Sequence, residues 1–87
     1  MFIILAYDVE AKRNSKFMKT VKKYLHPVQK SVFEGHISLR NLNGLKKELS
    51  AIIEPEKDGI VIYHLEWTRN VTKEFIGKHR PDEISIL

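Results

Sequence analysis

The sequence predicts an α+β domain, and three observations carry the prediction. Short segments rich in aliphatic and β-branched residues, FIILAYDV (2–9) and IVIYHLEW (60–67), are typical of buried strands. Two other segments, 12–25 and 42–53, repeat apolar residues at helical spacing. These segments alternate along a chain of 87 residues, a length that suits a single domain spanning 1–87.

The first predicted strand leads into a helix over 12–25. Pro27 is expected to end this helix, because the residue before a proline disfavours helical backbone. Lysines occupy much of the helix surface, and its predicted core face consists of Phe17, Met18, Val21, Tyr24 and Leu25.

The segment VQKSVFEGHISL (28–39) is predicted to form two short strands. The position of the turn between them stays open, and Gly35 marks one place where a bulge or tight turn could fall. A second helix follows over 42–53, with Asn41 as its N-cap. Its apolar stripe consists of Leu42, Leu45, Leu49, Ile52 and Ile53.

After the loop EPEKDG come the strand 60–67 and a weaker strand, TKEFIGK (72–78), with a tail from about residue 78. The order is therefore β-α-β-β-α-β with an additional C-terminal strand. This is the order of a ferredoxin-like domain, an antiparallel sheet with two helices on one face. The fold hosts many functions, so the function has to be argued from the side chains.

The distribution of charge favours a polyanion as partner. The chain carries 15 Lys and Arg against 11 Asp and Glu, and residues 11–33 contain no acid. A solvated helix face is the alternative interpretation, and charge alone leaves it open. The basic residues of this stretch are Lys12, Arg13, Lys16, Lys19, Lys22, Lys23 and Lys30.

Several kinds of site have no support in the sequence. There is no cysteine for a disulfide or a thiolate metal site, and the four histidines lack metal-ligand spacing. There is no GxGxxG motif, P-loop or nucleophile elbow. MFIILAY lacks the features of a signal peptide, and no apolar run approaches the ~20 residues of a membrane span. We therefore expect a cytoplasmic protein that does not enter a membrane.

Asp8 is the strongest candidate for chemistry. Aspartate is depleted in strands and an unpaired buried charge is costly, so Asp8 should reach solvent, pair with a cation or bind a metal. An ion pair with Lys12 or Arg13, or a cap on the following helix, is the alternative. One carboxylate is too few for a firm Mg²⁺ site, but a two-fold dimer would bring two copies of Asp8 together on one ion.

Tyr7 and Phe33 are two aromatic residues that could contact a nucleic acid. Aromatic rings bind single-stranded bases by stacking, without strong sequence preference. Membership of the hydrophobic core is the alternative for each, and the sequence leaves both open.

The segments YDV, VQKSVFEG and DGIVIYHL, together with the basic helix, resemble the CRISPR-associated protein 2 family over nearly the whole chain. These small proteins act with the CRISPR-associated protein 1 integrase when new spacers are captured. The resemblance implies a ferredoxin-like homodimer with metal-dependent endonuclease activity on single-stranded RNA or double-stranded DNA. Some relatives carry an arginine where this chain has Pro27.

The resemblance also implies roles for individual residues. Asp8 is the expected ligand of Mg²⁺ or Mn²⁺, and Tyr7, Arg13, Ser31 and Phe33 complete the expected catalytic site. For contact with nucleic acid we expect Lys12, Arg13, Lys16, Lys19, Lys23 and Lys30.

Three hypotheses follow. The first is a metal-dependent endonuclease of CRISPR adaptation. The second is a non-catalytic adaptor, a dimer placed between integrase dimers with its basic helices along a DNA duplex, which would make nuclease activity dispensable. The two roles can coexist. The third is a toxin-type ribonuclease outside CRISPR or a regulatory small-molecule-binding domain, and SVFEG and the charge pattern argue against the regulatory domain.

Overall fold

The computed structural model describes residues 1–65 and 71–78. They form β1 (Phe2–Asp8), α1 (Ala11–Val21), β2 (His26–Gln29), β3 (Val32–His36), α2 (Leu39–Ile52), β4 (Gly59–Leu65) and β5 (Val71–Gly77). This order confirms the predicted α+β fold class, with its additional last strand. The end of the predicted strand 60–67 and the predicted tail after residue 78 lie outside the described residues.

All five strands belong to one antiparallel sheet with the spatial order β2-β3-β1-β4-β5. The central strand β1 places Ala6 opposite Val32 of β3 and Asp8 opposite Gly59 of β4. The first four strands have the ferredoxin-like arrangement. Strand β5 extends the sheet by pairing with β4 along its full length.

The two faces of the sheet bury different side chains. On one face Phe17 of α1 and Leu45 of α2 pack with strand residues such as Ile3, Leu5 and Ile62 in the main core. On the opposite face the described residues form a second cluster that consists of strand side chains alone. We call this second surface the open face; it is formed by Ile4, Ala6, Val32, Val61, Tyr63 and Leu65.

The first helix is shorter than the sequence predicts. Helix α1 ends at Val21, and a tight turn over residues 22–24 directs the side chain of Leu25 into the core, where it is 2% exposed. The prediction that Pro27 ends the helix is wrong. Pro27 lies inside β2, an edge strand, which is the position in a sheet where a residue without an N–H is tolerated.

The second helix begins earlier than predicted, at Leu39. Ser38 is its N-cap, and the Ser38 Oγ accepts the backbone N–H of Asn41 at 3.1 Å. The prediction of Asn41 as the cap is therefore wrong, because Asn41 lies within the first turn and is the donor. Neither described helix is long and apolar enough to cross a bilayer.

The turn of the β2–β3 hairpin is formed by Lys30 and Ser31. Ser31 has φ 64°, in the left-handed region that is uncommon for residues other than glycine. Gly35 lies inside β3, where an added Cβ would meet the Leu25 side chain at 3.2 Å. The turn is therefore not at Gly35, and the irregularity of the ladder falls in β2.

Candidate nuclease site

Asp8 ends β1 and is exposed to solvent. Side chains alternate along a strand, so the Asp8 carboxylate lies on the same side of the sheet as Ile4 and Ala6, which is the open face. Reaching solvent is one of the three outcomes expected for Asp8 from the sequence. The three residues of β1 that precede Asp8 are buried.

Tyr7 and Phe33 belong to the main core on the helix side of the sheet. Tyr7 is 5% exposed and Phe33 1% exposed, and the Tyr7 ring centroid lies 4.5 Å from that of Phe17. Burial raises the pKa of Tyr7, and a hydrogen bond with the Ser31 side chain partly opposes this. Both aromatic residues are therefore core residues, the alternative given above, and a catalytic role for either stays a prediction.

Ser31 lies at the same end of the sheet as Asp8. Its carbonyl oxygen accepts the backbone N–H of Tyr7 at 3.0 Å, beyond the last β1–β3 residue pair. This contact connects the hairpin turn to the residue that precedes Asp8. The structure brings Ser31 to the site, and its predicted catalytic role is untested.

Asp58, in the connection between α2 and β4, contacts the start of α1. Its side chain is 0% exposed. The Oδ1 atom accepts hydrogen bonds from Glu10 N at 2.9 Å and Arg13 Nη2 at 2.9 Å. The Oδ2 atom accepts from Arg13 Nε at 2.6 Å and Glu54 N at 2.9 Å. We call Glu10, Arg13, Glu54 and Asp58 the Asp58 clamp.

The clamp keeps a buried carboxylate ionised. Burial alone would raise the pKa of Asp58, but hydrogen bonds from the Arg13 side chain and from two backbone N–H groups outweigh it and lower that pKa to about 2. The hydrogen bonds that Arg13 donates to Asp58, and to a smaller extent the one to Glu10, raise the pKa of Arg13. Arg13, predicted to serve both catalysis and nucleic-acid binding, is placed by the structure in this network with a side chain that is 17% exposed.

Sequence reasoning did not single out Asp58. It stands among other acids in EPEKDG, and its partners Glu10 and Arg13 are 48 and 45 residues away along the chain. The one local signal is its position directly before a buried strand, where a charge is expensive unless it is paired.

The predicted nucleic-acid residues of α1 lie on its solvent side. Lys12, Lys16 and Lys19 are exposed, and helical spacing places them along one line, which we call the basic stripe; Lys23 is exposed in the turn after the helix. Lys23 shares its charge with Glu48, because its Nζ lies 2.6 Å from the Glu48 Oε1. Lys30 is exposed at the hairpin turn, at the Asp8 end of the sheet.

The described part of the chain does not by itself contain a full set of metal ligands. Within residues 1–65 and 71–78 there is no group of three or more His, Asp or Glu side chains that could hold an ion. Mg²⁺ commonly takes one or two carboxylates and keeps several waters, so Asp8 fits as one ligand of a pair.

Fold and site define a class of protein: a small ferredoxin-like domain with a basic first helix and an exposed carboxylate at the end of its central strand. Comparison with known families identifies the particular one. The model of the family described as "CRISPR associated protein Cas2" matches residues 1–72. The chain belongs to this Cas2 family.

Individual relatives agree with this assignment. The protein of Dictyoglomus turgidum named "CRISPR-associated endoribonuclease Cas2" is 34% identical over 87 residues, covering 100% of both chains. A Moorella thermoacetica relative, "CRISPR-associated endoribonuclease Cas2 2", is 41% identical over 85% of this chain and 88% of its own. Among solved structures, Streptococcus pyogenes Cas2 superposes with a TM-score of 0.71 at 31% identity, over 79% of this chain and 93% of that one.

Proposed function

We propose that this chain is a homodimeric, metal-dependent endonuclease of CRISPR adaptation that works in the cytoplasm. The observation that carries the proposal is the exposed Asp8 at the end of the buried central strand, close in sequence to the basic stripe. The word endoribonuclease in the names of the relatives supports RNA as substrate. We propose single-stranded RNA, and double-stranded DNA is the second substrate to test.

The open face supports a second copy as partner. Val61 and Tyr63 on this face are already buried, while Ile4 and Leu65 stay partly accessible and Phe75, opposite Val61 in the β4–β5 ladder, is 41% exposed. Packing two open faces around a two-fold axis would remove the remaining accessible area of Ile4, Leu65 and Phe75 from water. Because Asp8 lies on the same side of the sheet, such an axis would bring the two carboxylates toward each other.

We assign metal binding, phosphate binding and support of the site to different residues. The pair of Asp8 carboxylates would hold one Mg²⁺ or Mn²⁺ ion, which supplies activation of water and stabilisation of charge on the scissile phosphate. Lys12, Lys16 and Lys30 would hold the flanking phosphates. Tyr7 supports the end of β1 from within the core.

An adaptor role is the second candidate, and the position of the basic stripe favours it. Helix α1 packs on the sheet face opposite the open face, so a face-to-face dimer leaves both stripes exposed. Two such stripes could follow the phosphate backbone of a duplex held with the CRISPR-associated protein 1 integrase. This binding would be independent of sequence and sensitive to salt. It would not require Asp8.

The test compares Asp8→Asn with Glu34→Gln, a matched removal of one carboxylate. Glu34 lies two residues after Val32 in β3, so its side chain is on the open face as well. Its partner in the β1–β3 ladder is Ile4, which is four residues, or about 13 Å, from Asp8 along β1. Both variants and the unaltered protein are incubated with labelled single-stranded RNA and duplex DNA in Mg²⁺, Mn²⁺ or EDTA. Binding and oligomeric state are recorded in parallel.

We expect metal-dependent cleavage that Asp8→Asn abolishes and Glu34→Gln retains, with binding unchanged in both. Cleavage that is equal in all three proteins would refute a catalytic role for Asp8. In that case salt-sensitive duplex binding by a dimer would leave the adaptor role as the better description. A monomer at assay concentration would contradict the shared metal site itself.

A further inference from the structure

We propose that Arg13 and Asp58 act together as one positioning unit behind Asp8, and that Arg13 does not contact the phosphates of the nucleic acid. This inference rests on the proposed function, because it concerns how the nuclease site is held. It assigns Asp58 a role in the site and changes the role expected for Arg13 from the sequence.

Three of the five N–H donors of Arg13 are committed to carboxylates of the protein. Its Nε and Nη2 donate to both oxygens of Asp58, and Nη2 also donates to the Glu10 Oε1 at 2.8 Å. For Nε or Nη2 to turn to a phosphate, the guanidinium would have to leave a carboxylate that is 0% exposed. Removing one partner of a buried ion pair is strongly unfavourable, because the remaining charge has no solvent to replace it.

The exposed lysines of the same helix are not constrained in this way. Lys16 and Lys19 are exposed and stand on the solvent side of α1, where a phosphate can approach without breaking a buried contact. Electrostatic contact with nucleic acid therefore belongs to the lysines. Arg13 has the planar fork that suits a bidentate carboxylate contact, and it uses that fork on Asp58.

Asp58 lies where the chain segments around Asp8 meet. Its carboxylate accepts the N–H of Glu10, two residues after Asp8, and its neighbour Gly59 is opposite Asp8 in the β1–β4 ladder. Its own carbonyl oxygen accepts the N–H of Lys78, just after β5. One residue thus joins the end of β1, the start of β4 and the end of β5. Reactions between positioned groups are sensitive to displacements of about 1 Å, so loosening this junction should impair catalysis.

The experiment uses Arg13→Gln, Asp58→Asn and the double variant. Lys16→Ala serves as the reference for a phosphate contact. Leu42→Ala serves as a control that destabilises the fold away from the clamp. Leu42 is 1% exposed and lies in the first turn of α2, whereas Glu54 and Asp58 of the clamp follow the C-terminal end of that helix. All proteins are assayed at a temperature at which each is fully folded.

The first readout is the salt dependence of binding to a short fluorescent single-stranded RNA. A lost phosphate contact lowers the slope of log K against log salt by about 0.7, the change expected for Lys16→Ala. We expect Arg13→Gln to leave that slope unchanged. A decrease equal to that of Lys16→Ala would overturn the inference, because it would make Arg13 a phosphate ligand.

The second readout is turnover at saturating RNA. Arg13→Gln and Asp58→Asn should each lower kcat about 10- to 100-fold with little change in KM, and the double variant should fall no further. Leu42→Ala should keep kcat. Losses that multiply in the double variant, or an equal loss in Leu42→Ala, would overturn the joint positioning role.

The third readout does not depend on activity. Amide hydrogen exchange at Glu10 and Glu54 should accelerate at least tenfold more in the clamp variants than in Leu42→Ala. If the unaltered protein cleaves no RNA with any metal, the proposed function fails, and the salt slope and the exchange rates still decide the inference. Uniform exchange in all variants would overturn it.

Discussion

Replacement of Asp58 by asparagine should be among the most destabilising changes that keep side-chain size in this domain. The carboxylate accepts N–H groups from Glu10, Glu54 and twice from Arg13. Asparagine keeps one acceptor oxygen and turns an NH₂ group toward the donors on the other side. Each buried polar group left without a partner costs about 1–3 kcal/mol, and breaking a buried ion pair costs about 3–5 kcal/mol.

We therefore expect Asp58→Asn to lower the free energy of unfolding by about 3–5 kcal/mol, a large part of the ~5–15 kcal/mol that stabilises an ordinary domain. For a domain of this length that corresponds to a melting temperature lower by at least about 12 °C. Urea unfolding followed by far-UV circular dichroism at pH 7 measures the difference, at a single protein concentration because dimerisation contributes to stability.

The matched control is Glu10→Gln. The Glu10 side chain is 44% exposed and contacts the same guanidinium, so its loss should cost no more than about 1 kcal/mol. If Asp58→Asn also stayed within about 1 kcal/mol of the unaltered protein, with an unchanged m-value, the reasoning would be refuted. The four hydrogen bonds would then not restrain the buried carboxylate in solution.

Three further predictions concern pH and backbone conformation. Folding lowers the pKa of Asp58 from 3.8 to about 2, so its ionised form contributes about 2 kcal/mol to the free energy of unfolding above pH 3.8, and this contribution is lost as pH falls through about 2. The stability of Asp58→Asn should not show this loss. Parallel stability–pH profiles for the variant and the unaltered protein would contradict the prediction. Gly77→Ala should cost about 2–4 kcal/mol, because Gly77 has φ +83° and an added Cβ would clash with the Asp58 carbonyl oxygen; urea unfolding with a change below about 1 kcal/mol would contradict it. Ser31→Gly should change the free energy of unfolding by no more than about 0.5 kcal/mol, because glycine removes the ~1–2 kcal/mol cost of the left-handed backbone but adds an entropic cost and removes the hydrogen bond between the Ser31 and Tyr7 side chains; a change above about 1.5 kcal/mol in urea unfolding would contradict it.

The order of the helices and strands along the chain and the apolar faces of the helices could be predicted from the sequence because both depend on local patterns. Phe17 and Val21 repeat at helical spacing, and both are fully buried. The position of Asp8 at the exposed end of β1 follows from the same kind of reading, since an aspartate that ends an apolar strand marks where the strand leaves the core. Patterns of this kind need no knowledge of distant contacts.

The errors fall where the decisive interaction is not local or where the usual signal residue is missing. Helix α1 ends at Val21, six residues before Pro27, so Pro27 does not set its end. The hairpin turn carries Ser31 with a positive φ where glycine or asparagine would have marked it. Asp58 was missed because its role depends on Arg13, 45 residues earlier.

The two aspartates at this end of the sheet should respond to substitution in opposite ways. Helix α1 (Ala11–Val21) has no acid in its first turn and no cap from the side chain of Glu10, so the buried charge of Asp58 complements its N-terminus from another part of the chain. Asp8, one register position away, is exposed, and exposed substitutions usually stay within about 0.5 kcal/mol. Loss of Asp58 should therefore weaken the fold and the site together, whereas loss of Asp8 should remove cleavage from a domain of unchanged stability.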